Sequence, residues 1–220
     1  MVKLAPSIMC SDFLDLKTQI DIFEEEKIDY LHIDIMDGHY VPNFTLGPDF
    51  CDALSDYSPI PLDIHLMVEN VDSYIPAFSR SESPVICIHP EAGYHPLRSI
   101  EYLKCHGAVP GIAIDPSTPL ESIKYIIPDI GQICVMTVNP GYSGQALIPQ
   151  TLEKIRDLSG YVKERRLDIE IEVDGNVSWE NIPAMVEAGA TMLVLGTSSL
   201  FDGQESLRKN IRRLRSMLCP

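Results

Sequence analysis

Residues Ile133-Cys134-Val135-Met136-Thr137-Val138 run without a charge and end at once in Asn139-Pro140-Gly141. A strand with one wet face alternates apolar and polar residues. A run that is apolar at successive positions belongs to a strand covered on both faces, as in a parallel sheet. Similar runs recur on both sides of it, at Lys3–Ser7, Tyr30–Met36, Pro61–Met67, Pro84–His89, Val109–Ile114, Ile169–Val173 and Thr191–Leu195. They are short and rich in Val, Ile and Leu, and each is separated from the next by room for a helix.

The intervening stretches carry helix signals. Ser11-Asp12 reads as the cap of a segment with Phe13, Leu16, Ile20 and Phe23 on one face. Ser117-Thr118-Pro119 opens another, with Pro119 at the first helical position and Ile123, Ile126 and Ile127 following. Thr151–Glu164, Trp179–Ala188 and Ser206–Leu218 continue the alternation, and the basic residues Arg208, Lys209, Arg212, Arg213 and Arg215 read as a solvated face near a helix C-terminus. Eight strands alternating with helices predict an α/β fold, the (β/α)8 TIM barrel, as one domain over residues 1–220. The alternative is a doubly wound open sheet. Its dinucleotide-binding form is weakened because no G-x-G-x-x-G follows the first strand.

The chain has 17 basic against 32 acidic residues, a formal charge of −15. That balance argues against nucleic acid or an anionic membrane as a partner. The cysteines Cys10, Cys51, Cys87, Cys105, Cys134 and Cys219 are scattered with no C-x-x-C pair, so neither a disulfide scaffold nor a zinc knuckle is expected. The first residues carry no signal-peptide pattern, and no stretch approaches the ~18 apolar residues of a membrane span. A soluble, cytoplasmic protein is the expectation.

In such a barrel the chemistry sits at the C-terminal ends of the strands. Ser7 ends the first run. His32 and Asp34, at i and i+2, share one face of the second; His65 lies at the end of the third and Asp174 follows the seventh. Each alone has a bland reading, as a core histidine or a turn carboxylate. Three strands offering such groups at one end form a sensible donor set for one divalent transition metal: zinc first, with manganese, iron or cobalt as alternatives. Gly141-Tyr142-Ser143-Gly144 after the sixth strand, Asp174-Gly175-Asn176 after the seventh and Gly196-Thr197-Ser198 after the eighth read either as tight turns or as backbone cradles for a phosphate. Met36, Met67 and Met136, near the ends of strands two, three and six, read as core filler on pattern alone. Phosphate-binding barrels that decarboxylate sugar acids or nucleotides resemble one another in an Asp-x-Lys-x-x-Asp motif, and here Met36 stands where its lysine would be.

Leu4-Ala5-Pro6-Ser7-Ile8, the stretch from His32 to Asn43, Leu62–Met67, Val135–Gly141 and Glu172-Val173-Asp174-Gly175 together resemble the ribulose-phosphate 3-epimerase family, over essentially the whole chain. The resemblance implies a barrel of the ribulose-phosphate-binding type, one catalytic divalent metal per subunit, a small ketose phosphate as substrate, and commonly a homo-oligomer. It implies His32, Asp34, His65 and Asp174 as metal ligands, with Asp34 and Asp174 as the acid/base pair. Ser7 and His65 become substrate contacts, and the residues Gly141–Gly144, Asp174–Asn176 and Gly196–Ser198 the phosphate and sugar segments. The three methionines become a low-polarity cap over the intermediate. Inversion at C3 then needs one carboxylate on each face of a flattened enediolate. Three details depart from the pentulose pattern: Asn176 in place of a second Gly, Gly196-Thr197-Ser198-Ser199-Leu200-Phe201 after the last strand, and His89-Pro90-Glu91 after the fourth. They are similar to the D-allulose-6-phosphate 3-epimerase branch. The expected reaction is therefore D-allulose 6-phosphate to D-fructose 6-phosphate. D-ribulose 5-phosphate to D-xylulose 5-phosphate is the alternative, and a non-catalytic sugar-phosphate-binding barrel is the alternative of another class.

Overall fold

A computed structural model describes residues 2–82 and 84–218. The strands are β1 (Lys3–Pro6), β2 (Leu31–Met36), β3 (Leu62–Met67), β4 (Val85–Ile88), β5 (Val109–Ile114), β6 (Gln132–Met136), β7 (Glu170–Asp174) and β8 (Met192–Leu195). All pair in parallel in the order β1-β8-β7-β6-β5-β4-β3-β2, and a bridge between Ser7 and His32 joins the two ends of that order. The fold is the (β/α)8 barrel. Cys219 and the outer bounds of the expected 1–220 domain fall outside the described residues.

The strands sort their side chains by alternation. Leu31, Ile33 and Ile35 of β2, Leu62, Ile64 and Leu66 of β3, and Ile171 and Val173 of β7 belong to the large apolar core shared with the helices. Their neighbours His32, Asp34, Asp63, His65 and Glu172 occupy the opposite face and are buried too, so the barrel interior is polar on this side. Toward β4–β6 the interior is mostly apolar, with Val85, Cys87, Ala113, Cys134 and Met136 in one cluster. Uniform burial of both faces is why the sequence runs look continuous. The site is built where the inner face departs from apolar.

The helices are α1 (Leu16–Glu25), α2 (Pro48–Tyr57), α3 (Ile75–Phe78), α4 (Pro96–Cys105), α5 (Gln150–Arg165), α6 (Ile182–Ala188) and α7 (Leu207–Leu218). Three expected helices differ. Ser11-Asp12 does not cap α1: Asp12 Oδ1 accepts the N–H of Leu14 at 3.0 Å, closing a local turn, and the helix begins after Asp15. Phe13 is therefore exposed outside the helix, edge-on to Phe50. After β5 there is no α-helix. Pro119 is extended, and only the short 3-10 turns Leu120–Ser122 and Ile127–Asp129 form. Pro128 removes a donor from the middle of the segment, and the β-branched Ile123, Ile126, Ile127 and Ile130 are buried in the core. The segment from Trp179 also enters its helix late, because Trp179 Nε1 donates to Asp202 and Ser178 Oγ accepts from the Asn181 N–H.

Candidate active site

The ligand atoms of His32, Asp34, His65 and Asp174 all lie within 4.8 Å of one another at the C-terminal mouth of the barrel. Register makes this possible: Asp34 pairs across with His65 in the β2–β3 ladder, while Asp174 terminates β7 on the other side. Asp34 Oδ1 lies 3.3 Å from His32 Nε2 and 3.4 Å from His65 Nδ1, which in turn is 3.8 Å from Asp174 Oδ2. Ser7 Oγ donates to the other oxygen of Asp34 at 2.8 Å. His65 Nδ1 is buried with no hydrogen-bond partner among the described residues. Two imidazole nitrogens and two carboxylates converging on one point fit a divalent transition metal, and the unpartnered Nδ1 is the lone pair such an ion takes.

Beneath this cluster lies a layer that reading the sequence missed. His32 Nδ1 donates to Asp63 Oδ2 at 2.6 Å, and Gln132 Nε2 donates to both Asp63 and Glu172 at 2.8 Å. Asp63 and Glu172 stand two residues before His65 and Asp174, on the same inward face, so the period of two is the signal that finds them. His89 and Asp115, just past β4 and β5, extend the network: His89 Nε2 lies 2.8 Å from His65 Nε2.

Burial pushes the Asp34 carboxyl up, yet the rings of His32 and His65 outweigh it and hold it well below the usual carboxylate range. Asp63 is likewise held low, burial being overcome by His32. Burial, and then the charge of Asp34, push Asp174 up to about 6. Burial with Asp63 beside it holds Glu172 well above its ordinary value. His32 would be lowered by burial, but Asp34, Asp63 and Glu172 raise it well above 6.5. The protein thus balances its clustered carboxylates with protons, which a divalent cation held by these groups would displace.

Above the cluster opens a cleft. Ser7, Asp34 and Asp174 line it together with Met36, Met67 and Met136. Its rim is formed by Gly141, Tyr142, Ser143 and Gly144, by Gly175 and Asn176, and by Gly196, Thr197 and Ser198. All the expected loop residues therefore meet at one mouth. His32 and His65 do not line it; both rings are fully buried below. One ring nitrogen of His65 faces His89 and the other faces the carboxylates.

The loops are tied to each other. Thr137 Oγ1 donates to the Asp174 carbonyl at 3.0 Å and also to that of Gly175, and Asn43 Nδ2 donates to the Gly141 carbonyl at 3.0 Å. Gly175 has φ of +112°, and a Cβ there would lie 2.9 Å from the Val138 backbone nitrogen, so only glycine fits. Asn176 also adopts positive φ, at 44°, and its Oδ1 accepts from Asn181 Nδ2 at 2.7 Å.

Known proteins resemble this one in fold and in sequence. The fold is similar to that of the tryptophan synthase alpha-subunit of Pyrococcus furiosus, at a TM-score of 0.71 and 16% identity, covering 98% of this chain and 100% of that one. The chain is 41% identical to the ribulose-phosphate 3-epimerase of Bacillus subtilis over 98% of its own length and 99% of the relative's. It is 40% identical to those of Methanocaldococcus jannaschii (98% and 90%) and Escherichia coli K12 (98% and 95%). The match to the family described as "Ribulose-phosphate 3 epimerase family" spans residues 3–201, so the chain, an isomerase by this kinship, belongs to the ribulose-phosphate 3-epimerase family.

Proposed function

We propose that this protein is a metal-dependent ketose-phosphate 3-epimerase that interconverts D-ribulose 5-phosphate and D-xylulose 5-phosphate. The observation that carries the chemistry is the convergence of Asp34 from β2 and Asp174 from β7 on one cluster at the floor of the cleft. Two carboxylates from different strands can flank a flat intermediate, one removing the C3 proton and the other returning it to the opposite face. Their titrations are coupled, so the roles are assigned by face and not by pKa. His32, Asp34, His65 and Asp174 would hold the metal, zinc or an ion of similar preference. When bound, it supplies Lewis-acid stabilisation of the negative charge that develops on the substrate oxygens as C3 loses its proton. Ser7 holds Asp34 in place, and Met36, Met67 and Met136 keep water from the ionising centre. The three rim loops receive the phosphate through backbone amides. The same reading takes a homo-oligomer in the cytoplasm, checked by sedimentation and fractionation.

The relatives' shared name supports the pentulose phosphate. The second reading, D-allulose 6-phosphate to D-fructose 6-phosphate, is favoured by Asn176. With Asn181 holding its Oδ1, the group it can turn toward an anion is the Nδ2 amide, in a loop where a second glycine would offer only backbone. Measuring kcat/KM on both sugar phosphates decides between them. We expect at least a tenfold preference for D-ribulose 5-phosphate; the opposite preference establishes the hexulose reading. Metal-loaded protein that binds a sugar phosphate yet exchanges no C3 hydrogen with deuterated water would be a binding barrel and no enzyme.

A further inference from the structure

We propose that His89 is a positioning residue for His65, acting in a buried relay that runs Asp115–His89–His65. The proposal rests on the metal-centre reading above and adds residues that the donor set does not include. His65 points inward from β3, His89 follows β4 and Asp115 follows β5, so three successive strands hand one side chain to the next. The Nε2 atoms of His65 and His89 are 2.8 Å apart, with the ring centroids 5.0 Å apart and both residues fully buried. Two neutral imidazole nitrogens at that distance share a single proton: one ring donates and the other accepts.

Asp115 decides which. Its Oδ1 lies 3.2 Å from His89 Nδ1; the contact is poorly aligned for a hydrogen bond, and both buried atoms are otherwise unpartnered among the described residues. A carboxylate only accepts, so the proton of His89 is on Nδ1 and its Nε2 carries the lone pair. His65 must then donate from Nε2, which leaves its own lone pair on Nδ1. Nδ1 is the atom that faces Asp34 at 3.4 Å and Asp174 at 3.8 Å. The opposite tautomer would put a proton where the ligand lone pair is needed. His32 receives the same service in one step, from Asp63. The relay itself is held in place: Tyr40 packs on the His89 ring at 4.8 Å, and Lys154 Nζ donates to the carbonyls of Asp115, Pro116 and Thr118 at 2.7–2.8 Å. Outer hydrogen bonds of this kind orient a ligating histidine, and losing one typically costs 10–100-fold in metal affinity.

The test is zinc affinity of the metal-free chain, by competition with a chromophoric chelator, with the metal-free melting temperature as a folding control. His89→Phe keeps a ring of similar shape but no acceptor, and zinc affinity should fall roughly 10–100-fold. His89→Gln places an oxygen near the original Nε2 and should restore affinity to within about threefold of wild type. His89→Asn is too short to reach His65 and should bind as weakly as the phenylalanine variant. A role in packing alone would treat Gln and Asn alike. Zinc affinity of His89→Phe within twofold of wild type, or equal affinities for Gln and Asn, would overturn the relay while leaving the metal centre intact. Should His89→Phe not fold, the Gln/Asn pair decides. A wild-type chain that binds no zinc would sink the metal-centre reading, and the relay with it.

Discussion

Asp34 and Asp174 are chemically identical side chains a few ångströms apart, and their surroundings separate them. Two imidazole rings and the Ser7 hydroxyl hold Asp34 ionised, whereas burial beside that charge leaves Asp174 at about 6. Removing either carboxylate should stop inversion, because one face then lacks its proton carrier. Asp34→Asn and Asp174→Asn should each lower kcat by at least ~10²–10⁴-fold, read together with C3 exchange in deuterated water; near wild-type turnover from either would refute the two-face mechanism. Ser7→Ala withdraws one hydrogen bond from a charged group and should lower kcat/KM by roughly tenfold. At this scale the residues at strand ends were legible, because a polar side chain in an apolar run is conspicuous. The period of two marks Asp63 and Glu172 as inward too, but their partnership with Gln132 was not legible. They are mutual partners drawn from β3, β6 and β7, and no local pattern shows which buried carboxylate will meet which amide across a barrel.

Among the elements, the loops after β6 and β7 behave as one unit, joined through Thr137 to the carbonyls of Asp174 and Gly175. Gly175→Ala introduces a Cβ against the Val138 backbone at a positive φ, so the loop must shift and carry the phosphate-facing amides with it. The expected result is a KM for the sugar phosphate at least tenfold higher with a smaller change in kcat, measured by steady-state kinetics. An unchanged KM would remove this loop from the phosphate site. The elements also show where local pattern misleads. Pro119 and the isoleucines after it have the spacing of a helix opening, but Pro128 interrupts the segment, and burying four β-branched side chains outweighs helical hydrogen bonding. Asp12 looks like a cap and closes a turn instead, since a short carboxylate can serve either N–H equally well.

For the whole molecule, the charge of −15 is largely screened from the barrel mouth at physiological salt, where the Debye length is ~8 Å. The acidic groups that matter are those packed inside. Asp174 titrates near 6 in the folded chain against 3.8 for the free side chain, so the folded state binds the extra proton and stability falls as pH rises through that window. Glu172 and His32, both raised, act with the same sign; Asp34 and Asp63, held low, have delivered their stabilisation by about pH 4. The metal-free protein should therefore melt at a lower temperature at pH 8 than at pH 5. A divalent cation at about a hundredfold excess over its Kd should reverse this by adding about 2.7 kcal/mol, or roughly 5–10 °C in Tm. Calorimetry with and without metal at the two pH values checks it; a metal-free melting temperature that rises between them would contradict the titration assigned to the cluster.

The sequence by itself determined the number of strands, their parallel pairing through runs buried on both faces, the four polar residues that converge at the barrel mouth and the glycine-bearing loops. These are written in periodicity and in isolated polar residues, which depend only on neighbours along the chain. The tertiary structure alone decided the polar layer under the site, the burial of His65 away from the cleft, and the hand-over from Asp115 through His89. Each depends on register between strands far apart in sequence, and a hydrogen bond across a barrel leaves no trace in the local pattern of either partner.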